Sequence, residues 1–521
     1  MPHRYISRRS MIQGATALGA VGIASGGVIA QQGAKPAALP ARREFVVRGA
    51  NVLSMDPSIG DLATGDVHVR DGVIVAVGAK LNVKGATVID GRGMICMPGF
   101  IDTHWHLWTS MFRPYVRADV NALGYFPVSN RLGQHMAPQD SYRSVRLGAA
   151  EALSAGVTTV HNWAHNIRSP EHADAELSAM RDTGIRGRFA YGPAQGMPDT
   201  QPMDFAGMAR VQKTWMTAAG KASGDGMLTM GICSRNVGSM SIGGAARGVL
   251  TIEQTKTDWT GARKLGLPIT LHTSGASPIR QLEEAGLLGP DVQLIHALLT
   301  TPEERAILKN RGVSYALAPV GEARRPSQVG VIQLGELLES GVKVSLSTDH
   351  TTNYNCDPFN GMRILFALHQ HRIGNKVPLT VKRLVQLATL DGAVDLGISS
   401  KTGSLTPGKR ADMILVHSKS RTPDEIESFV KAWDGRAPIV IVPTAYPEMN
   451  AERIGKLGKI AMVIYGNHAI RAAVTAMQDV FAAIRRDGGI HNIDKRIVTV
   501  EEIFRLQRMD EIKRLEQLYL R

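Results

Sequence analysis

Two histidines separated by one residue close the run Pro98-Gly-Phe-Ile-Asp-Thr-His-Trp-His106. On an extended chain, residues i and i+2 point to the same side, so both imidazoles can grip one cation. Alone, a His-x-His pair carries little weight. Here it is joined by His272, which ends Ile269-Thr-Leu-His272, and by Asp349, which ends Val344-Ser-Leu-Ser-Thr-Asp349. Three imidazoles and a carboxylate suit Zn²⁺, and also Fe²⁺ or Mn²⁺, with one position left open for water.

Such a set works only if the chain brings four distant positions together. From Met97 onward, short apolar runs recur every 25 to 50 residues with helical stretches between them, the βα rhythm of a parallel barrel. Eight strands are expected: Met97–Asp102, Thr158–His161, Arg188–Tyr191, Leu228–Cys233, Pro268–His272, Val292–His296, Val313–Ala318 and Val342–Asp349. Helical apolar spacing fills Pro138–Ala155 and Ile252–Leu265. His104, His106, His161, His272, His296 and Asp349 then fall at or just past C-terminal strand ends, where a (β/α)8 TIM barrel builds its active site. Before the barrel, Phe45–Val47, Asp66–Val69 and Val73–Val77 alternate across the Asp71-Gly72 turn, a hairpin signal for a small β-sandwich lobe.

With these residues in place the chain resembles the amidohydrolase superfamily over nearly its whole length after the first forty residues. The likeness rests on the Pro98–His106 motif, the strand ends at His272, His296 and Asp349, and Gly403-Ser-Leu-Thr-Pro-Gly-Lys-Arg-Ala-Asp-Met-Ile-Leu-Val416. That last run is similar to the segment that re-enters the sandwich after the barrel. Within the superfamily the chain is most similar to the cytosine deaminase and triazine hydrolase branch, through Leu287-Leu-Gly-Pro-Asp-Val-Gln-Leu-Ile-His296 and Thr301-Pro-Glu-Glu304. The resemblance implies His104, His106, His272 and Asp349 as ligands of one metal, with His296 beside the developing oxyanion. Binuclear members carry a bridging lysine at the end of strand four. Here that strand reads Leu228-Thr-Met-Gly-Ile-Cys-Ser234, so a single ion, zinc first, is expected. By the same resemblance metal-bound hydroxide attacks a C–N bond, and Asp349 moves the proton.

Two departures bear on the substrate. Relatives place a glutamate three residues after the strand-five histidine as a proton shuttle; here the run is His272-Thr-Ser-Gly275. Strand seven ends Ala316-Leu-Ala-Pro-Val-Gly-Glu322, without the usual polar ending. Cleavage of an amide, a lactam or a cyclic amidine therefore ranks above deamination or hydrolytic dechlorination of an N-heterocycle. Glu322, His161 and His350 are candidates to replace the missing shuttle. His161-Asn-Trp-Ala-His165 could line the pocket, as could Trp105, Trp108, Trp163 and Tyr354, giving flat walls for a ring-bearing substrate. Arg113, Arg324 and Arg325 could meet an anionic group. A reading from another class is a silent binding protein that keeps the barrel and its metal.

Composition narrows the class. Of 521 residues, 44% are hydrophobic and 20% charged, which excludes disordered and multi-span membrane chains. Three cysteines are too few for a disulfide framework. The formal charge is +14, yet basic and acidic residues alternate, so no nucleic-acid partner is expected. Residues 1–30 resemble a twin-arginine signal peptide: Arg8-Arg9, a glycine-broken apolar stretch, then small residues to Ala30. An export translocase, a periplasmic or secreted location and no stable membrane insertion follow from that reading. The remaining division is a linker over 31–42, the lobe over 43–96, the barrel over 97–400, the rest of the lobe over 401–468, and C-terminal helices over 469–521. Those helices would pack on the barrel or on a partner in a homo-oligomer.

Overall fold

A computed structural model describes residues 44–521 except 118, 196, 199, 218–225, 238–240, 243–244, 247–249, 274–276, 297–298, 325–331, 412–421, 433–438, 442–445, 464–467, 507–508, 510–512 and 514–521. The signal peptide and linker expected over 1–42, Gly275, Arg325 and the end of the re-entry run at Val416 lie outside the described residues.

The hairpin forms where it is expected. Strand β1 (Phe45–Leu53) pairs antiparallel with β2 (Asp61–Arg70), which pairs with β3 (Val73–Gly78) across the Asp71-Gly72 turn. Asp71 and Gly72 have φ of 52° and 72°, the two positive values that a tight right-twisting hairpin turn requires. Strands β4 (Thr87–Asp90) and β5 (Ile95–Cys96) run parallel to β1. The described strands make one five-stranded sheet, not the two facing sheets of a sandwich. The chain returns to it after the barrel: Gly408 and Ala411 N–H groups donate to Ile74 and Gly72, and Leu405 joins its apolar core.

All eight barrel strands are present and parallel: β6 (Phe100–Trp105), β7 (Val157–Ala164), β8 (Arg186–Tyr191), β9 (Leu228–Cys233), β10 (Ile269–His272), β11 (Val292–Ile295), β12 (Ser314–Leu317) and β13 (Lys343–Leu346). They are paired in that order. The ring closes at the candidate site itself. The His106 N–H donates to the Asp349 carbonyl at 2.7 Å, and the Asp349 N–H donates to the His104 carbonyl at 2.8 Å. Apolar side chains between strands and helices make one large core, with Trp105, Trp215 and Trp259 wholly buried.

Helices α1 (Pro138–Ser154), α2 (Pro170–Thr183), α3 (Ile252–Lys264) and α4 (Pro302–Arg311) cover the barrel. The sequence encodes their starts. Thr251 with Gln254, and Thr301 with Glu304, form reciprocal capping boxes. Beneath α2, Glu176 is fully buried and its Oε2 accepts a 2.8 Å hydrogen bond from Asn162 Nδ2. Burial pushes this carboxyl up to about 8, against the downward pull of the Asn162 amide. The folded chain therefore holds a proton that the unfolded chain releases above the ordinary value of 4.5, so stability falls as pH rises from there to about 8. Glu176→Gln should flatten the pH dependence of the melting temperature across that window and raise it most at the alkaline end.

The tail departs from expectation. Strands β14 (Ile439–Ile441) and β15 (Ile460–Val463), assigned by sequence to the lobe, pair with each other in parallel instead. A helix, Ala451–Leu457, crosses between them, and Ile426, Val430, Ile441, Tyr446 and Met449 form their own apolar cluster. Among the described residues of 401–468, these two strands pair only with each other. The expected terminal helices are present as α5 (His468–Asp487) and α6 (Val500–Leu506). Val474, Met477 and Phe481 stand exposed along one face of α5 in the single chain. No helix among the described residues is long and apolar enough to cross a membrane.

Candidate metal centre

The ends of β6, β10 and β13 bring the predicted donors together. His104 Nε2 lies 3.3 Å from Asp349 Oδ1, His106 Nε2 lies 3.3 Å from the same oxygen, and His272 Nε2 lies 3.3 Å from His104 Nε2. Ligand atoms held about 2.0–2.1 Å from a tetrahedral zinc ion are about 3.3 Å from one another, so these separations are the edges of such a cage. Burial and neighbouring imidazoles push His104 and His272 well below the usual histidine range, and burial lowers His106. All three offer lone pairs at neutral pH. Burial alone would raise the Asp349 carboxyl, but the charge of His350 and the hydrogen bonds from His104 and His106 hold it well below the usual range. The donor set fits a divalent cation.

Two members adopt backbone conformations that side-chain-bearing residues avoid. His296, just past β11, has φ of 79°, and Asp349, three residues past β13, has φ of 72°. Strain of this kind persists where the surroundings fix the residue in place, and it gathers at functional sites. The turn swings each side chain inward. His296 stacks on His272 with ring centroids 5.1 Å apart, and a ligand atom of His296 lies within 4.8 Å of ligand atoms of His104 and Asp349.

The weaker candidates separate. Glu322, on the short helix Pro319–Arg324, is buried beside His296: its Oε1 lies 3.3 Å from His296 Nδ1 and accepts the Ala318 N–H at 2.9 Å. It props the histidine and does not face open space. His350 is buried with Nε2 3.7 Å from Asp349 Oδ2, and its ring stacks on Tyr125 at 4.5 Å. Trp163 packs 4.0 Å from the His272 ring, and the Tyr354 hydroxyl lies 3.4 Å from Asp349 Oδ2.

His161 is a correction. Strand β7 runs on to Ala164, so His161 lies within the strand, two residues before Trp163, and not at its end. It is wholly buried, with Nδ1 3.0 Å from the Thr103 carbonyl. Arg113 is also committed elsewhere, to the Thr351 carbonyl and Glu151. Trp105 packs in the main core, and Arg324 donates to the Asn353 carbonyl. Tyr125 and Gln195, which join the surroundings of the site, carry no signal in the sequence, since both come from connecting segments with no chemical motif.

With this geometry established, comparison with known proteins decides the family. The amidohydrolase family matches residues 95–240 and 260–443. This chain belongs to that family. It is 28% identical over 425 residues to a 5'-deoxyadenosine deaminase of Methanosarcina acetivorans, spanning 76% of this chain and 91% of the relative. Its fold is similar to a zinc-bound adenosine deaminase of Xanthomonas campestris (TM-score 0.58, 20% identity, 71% of this chain and 83% of that one). It is similar also to a zinc complex of an atrazine chlorohydrolase of Arthrobacter aurescens TC1 (TM-score 0.58, 23% identity, 70% and 86%). As an amidohydrolase, this chain is an enzyme for hydrolysis of carbon–nitrogen bonds other than peptide bonds. The silent-scaffold reading has no support from this set.

The tail has a second affinity. Residues 410–485 match the phosphoenolpyruvate phosphomutase family. A phosphonopyruvate hydrolase of Variovorax sp. is 53% identical over 111 residues, which is 21% of this chain and 38% of that one. The parallel βαβ pair of the tail suits an α/β parentage better than a sandwich.

Proposed function

We propose that this chain is a mononuclear metal-dependent hydrolase of the C–N bond in a small ring-bearing substrate, of amide, lactam or cyclic amidine type. The observation that carries the reading is the pair of donor triads that share His104, namely His104, His106 and His272, and His104, His296 and Asp349, with Glu322 against His296. A bound divalent ion would supply Lewis acidity and a water acidic enough to attack at neutral pH.

The chain's own groups do the rest. Asp349 Oδ1 faces the histidines, while Oδ2 faces Tyr354 and His350 and is the oxygen placed to take the proton of the attacking water. The same carboxyl then returns that proton to the leaving nitrogen. His296 donates toward the oxygen on which charge develops, and Glu322 behind Nδ1 keeps the opposite ring edge turned to the site. Trp163 backs the His272 ring with an apolar surface.

A lactam or amide leaves as an amine that Asp349 alone can protonate, which is why His272-Thr-Ser-Gly275, with no glutamate, favours it. Likeness to 5'-deoxyadenosine deaminases supports a second reading, deamination of an N-heterocycle. The zinc-loaded chain should open cyclic amides in a panel that also holds 5'-deoxyadenosine and cytosine. Ring-opened product supports the first reading, and ammonia release the second. No turnover of any panel member would count against both. The twin-arginine signal belongs to this proposal: export of a folded chain suits an enzyme that loads its metal before crossing a membrane, placing it in the periplasm or outside the cell.

A further inference from the structure

We infer that His165 and Gln195 form an outer support that orients His106 as a metal ligand. The inference rests on the metal reading above. His165 follows β7 by one residue and is partly buried. Its Nε2 lies 2.7 Å from His106 Nδ1, the ring nitrogen turned away from the cage. On its far side, Gln195 Nε2 lies 2.7 Å from His165 Nδ1 and donates to the His165 carbonyl at 3.0 Å. Gln195 is itself held: its N–H donates to Asn166 Oδ1, and its carbonyl accepts from Arg168. Trp108 packs edge-on against the His165 ring at 5.0 Å.

A neutral imidazole has one proton to place. When His106 gives its Nε2 lone pair to a cation, the proton sits on Nδ1 and must meet an acceptor. His165 Nε2, 2.7 Å away, is placed to accept it. On the other side of the ring, the Gln195 side-chain amide contacts both Nδ1 and the carbonyl of His165 and so fixes the ring in place. Outer partners of this kind typically change metal affinity by about 10- to 100-fold when removed. By contrast, the cage-facing pairs 3.3 Å apart do not distinguish the two nitrogens of His106.

The test is zinc affinity of the full chain, measured by competition with a chromophoric chelator. His165→Ala should weaken zinc binding about 10- to 100-fold, while His165→Gln, whose amide oxygen can accept from His106 Nδ1, recovers part of the loss. Melting temperatures of the metal-free variants serve as the check on folding, and the Co²⁺-substituted absorption spectrum should change in His165→Ala. Unchanged zinc affinity in His165→Ala, or equal weakening in both variants with a matching drop in metal-free melting temperature, overturns the inference and leaves the hydrolase reading standing. A wild-type chain that binds no zinc overturns both.

Discussion

Asp349→Asn should lower kcat by about 10³- to 10⁴-fold, near the upper end of what general acid–base catalysis supplies. The substitution is small in shape. Asparagine tolerates the positive φ of 72° that this position demands, so the closing hydrogen bonds to His104 and His106 through the backbone survive. What is lost is chemical: the amide cannot take a proton from water, and its oxygen lacks the charge that completes the cage. Turnover of whichever panel substrate the wild type accepts, with metal content measured alongside, separates the two losses. A zinc-loaded variant that keeps most of its kcat would remove Asp349 from proton transfer.

The second large effect is expected at His296. Asparagine again suits the left-handed backbone, here with φ of 79°, while deleting the imidazole that faces the cage. Loss of one donor to a developing oxyanion typically costs about 10²- to 10³-fold in kcat. KM should move little, because the donor meets full charge only in the transition state. Glu322→Gln should reproduce a fraction of that loss, since an amide oxygen can still accept from Nδ1 but more weakly than a carboxylate. An unchanged kcat in His296→Asn, with the fold intact by melting temperature, would mean that another group stabilises the oxyanion.

Much of this was legible before any coordinates. The eight strands lie where apolar runs recur, because a parallel strand buried on both faces must be a continuous apolar run. Four candidate ligands could be named because chemistry sits at strand ends. Geometry that depends on loops was not legible. His161 reads as a mouth residue if strand two ends there, but the strand continues three residues further, to Ala164. Glu322 looked like a substrate contact, yet one turn of helix after β12 buries it against His296. The tail misled for a different reason. Short β-branched runs such as Pro438–Val442 read alike in a hairpin sheet and in a βαβ unit, and only the crossover helix between β14 and β15 tells them apart.

The most direct measurement is metal content per chain by inductively coupled plasma mass spectrometry, on the wild type and on His104→Ala. His104 stands at the centre of the cage, within 3.3 Å of both His272 Nε2 and Asp349 Oδ1. The account predicts about one zinc, iron or manganese ion per chain in the wild type, and its loss in the variant together with turnover. Two ions per chain would mean a bridging ligand outside this set. No metal in a chain that still hydrolyses its substrate would contradict the account outright.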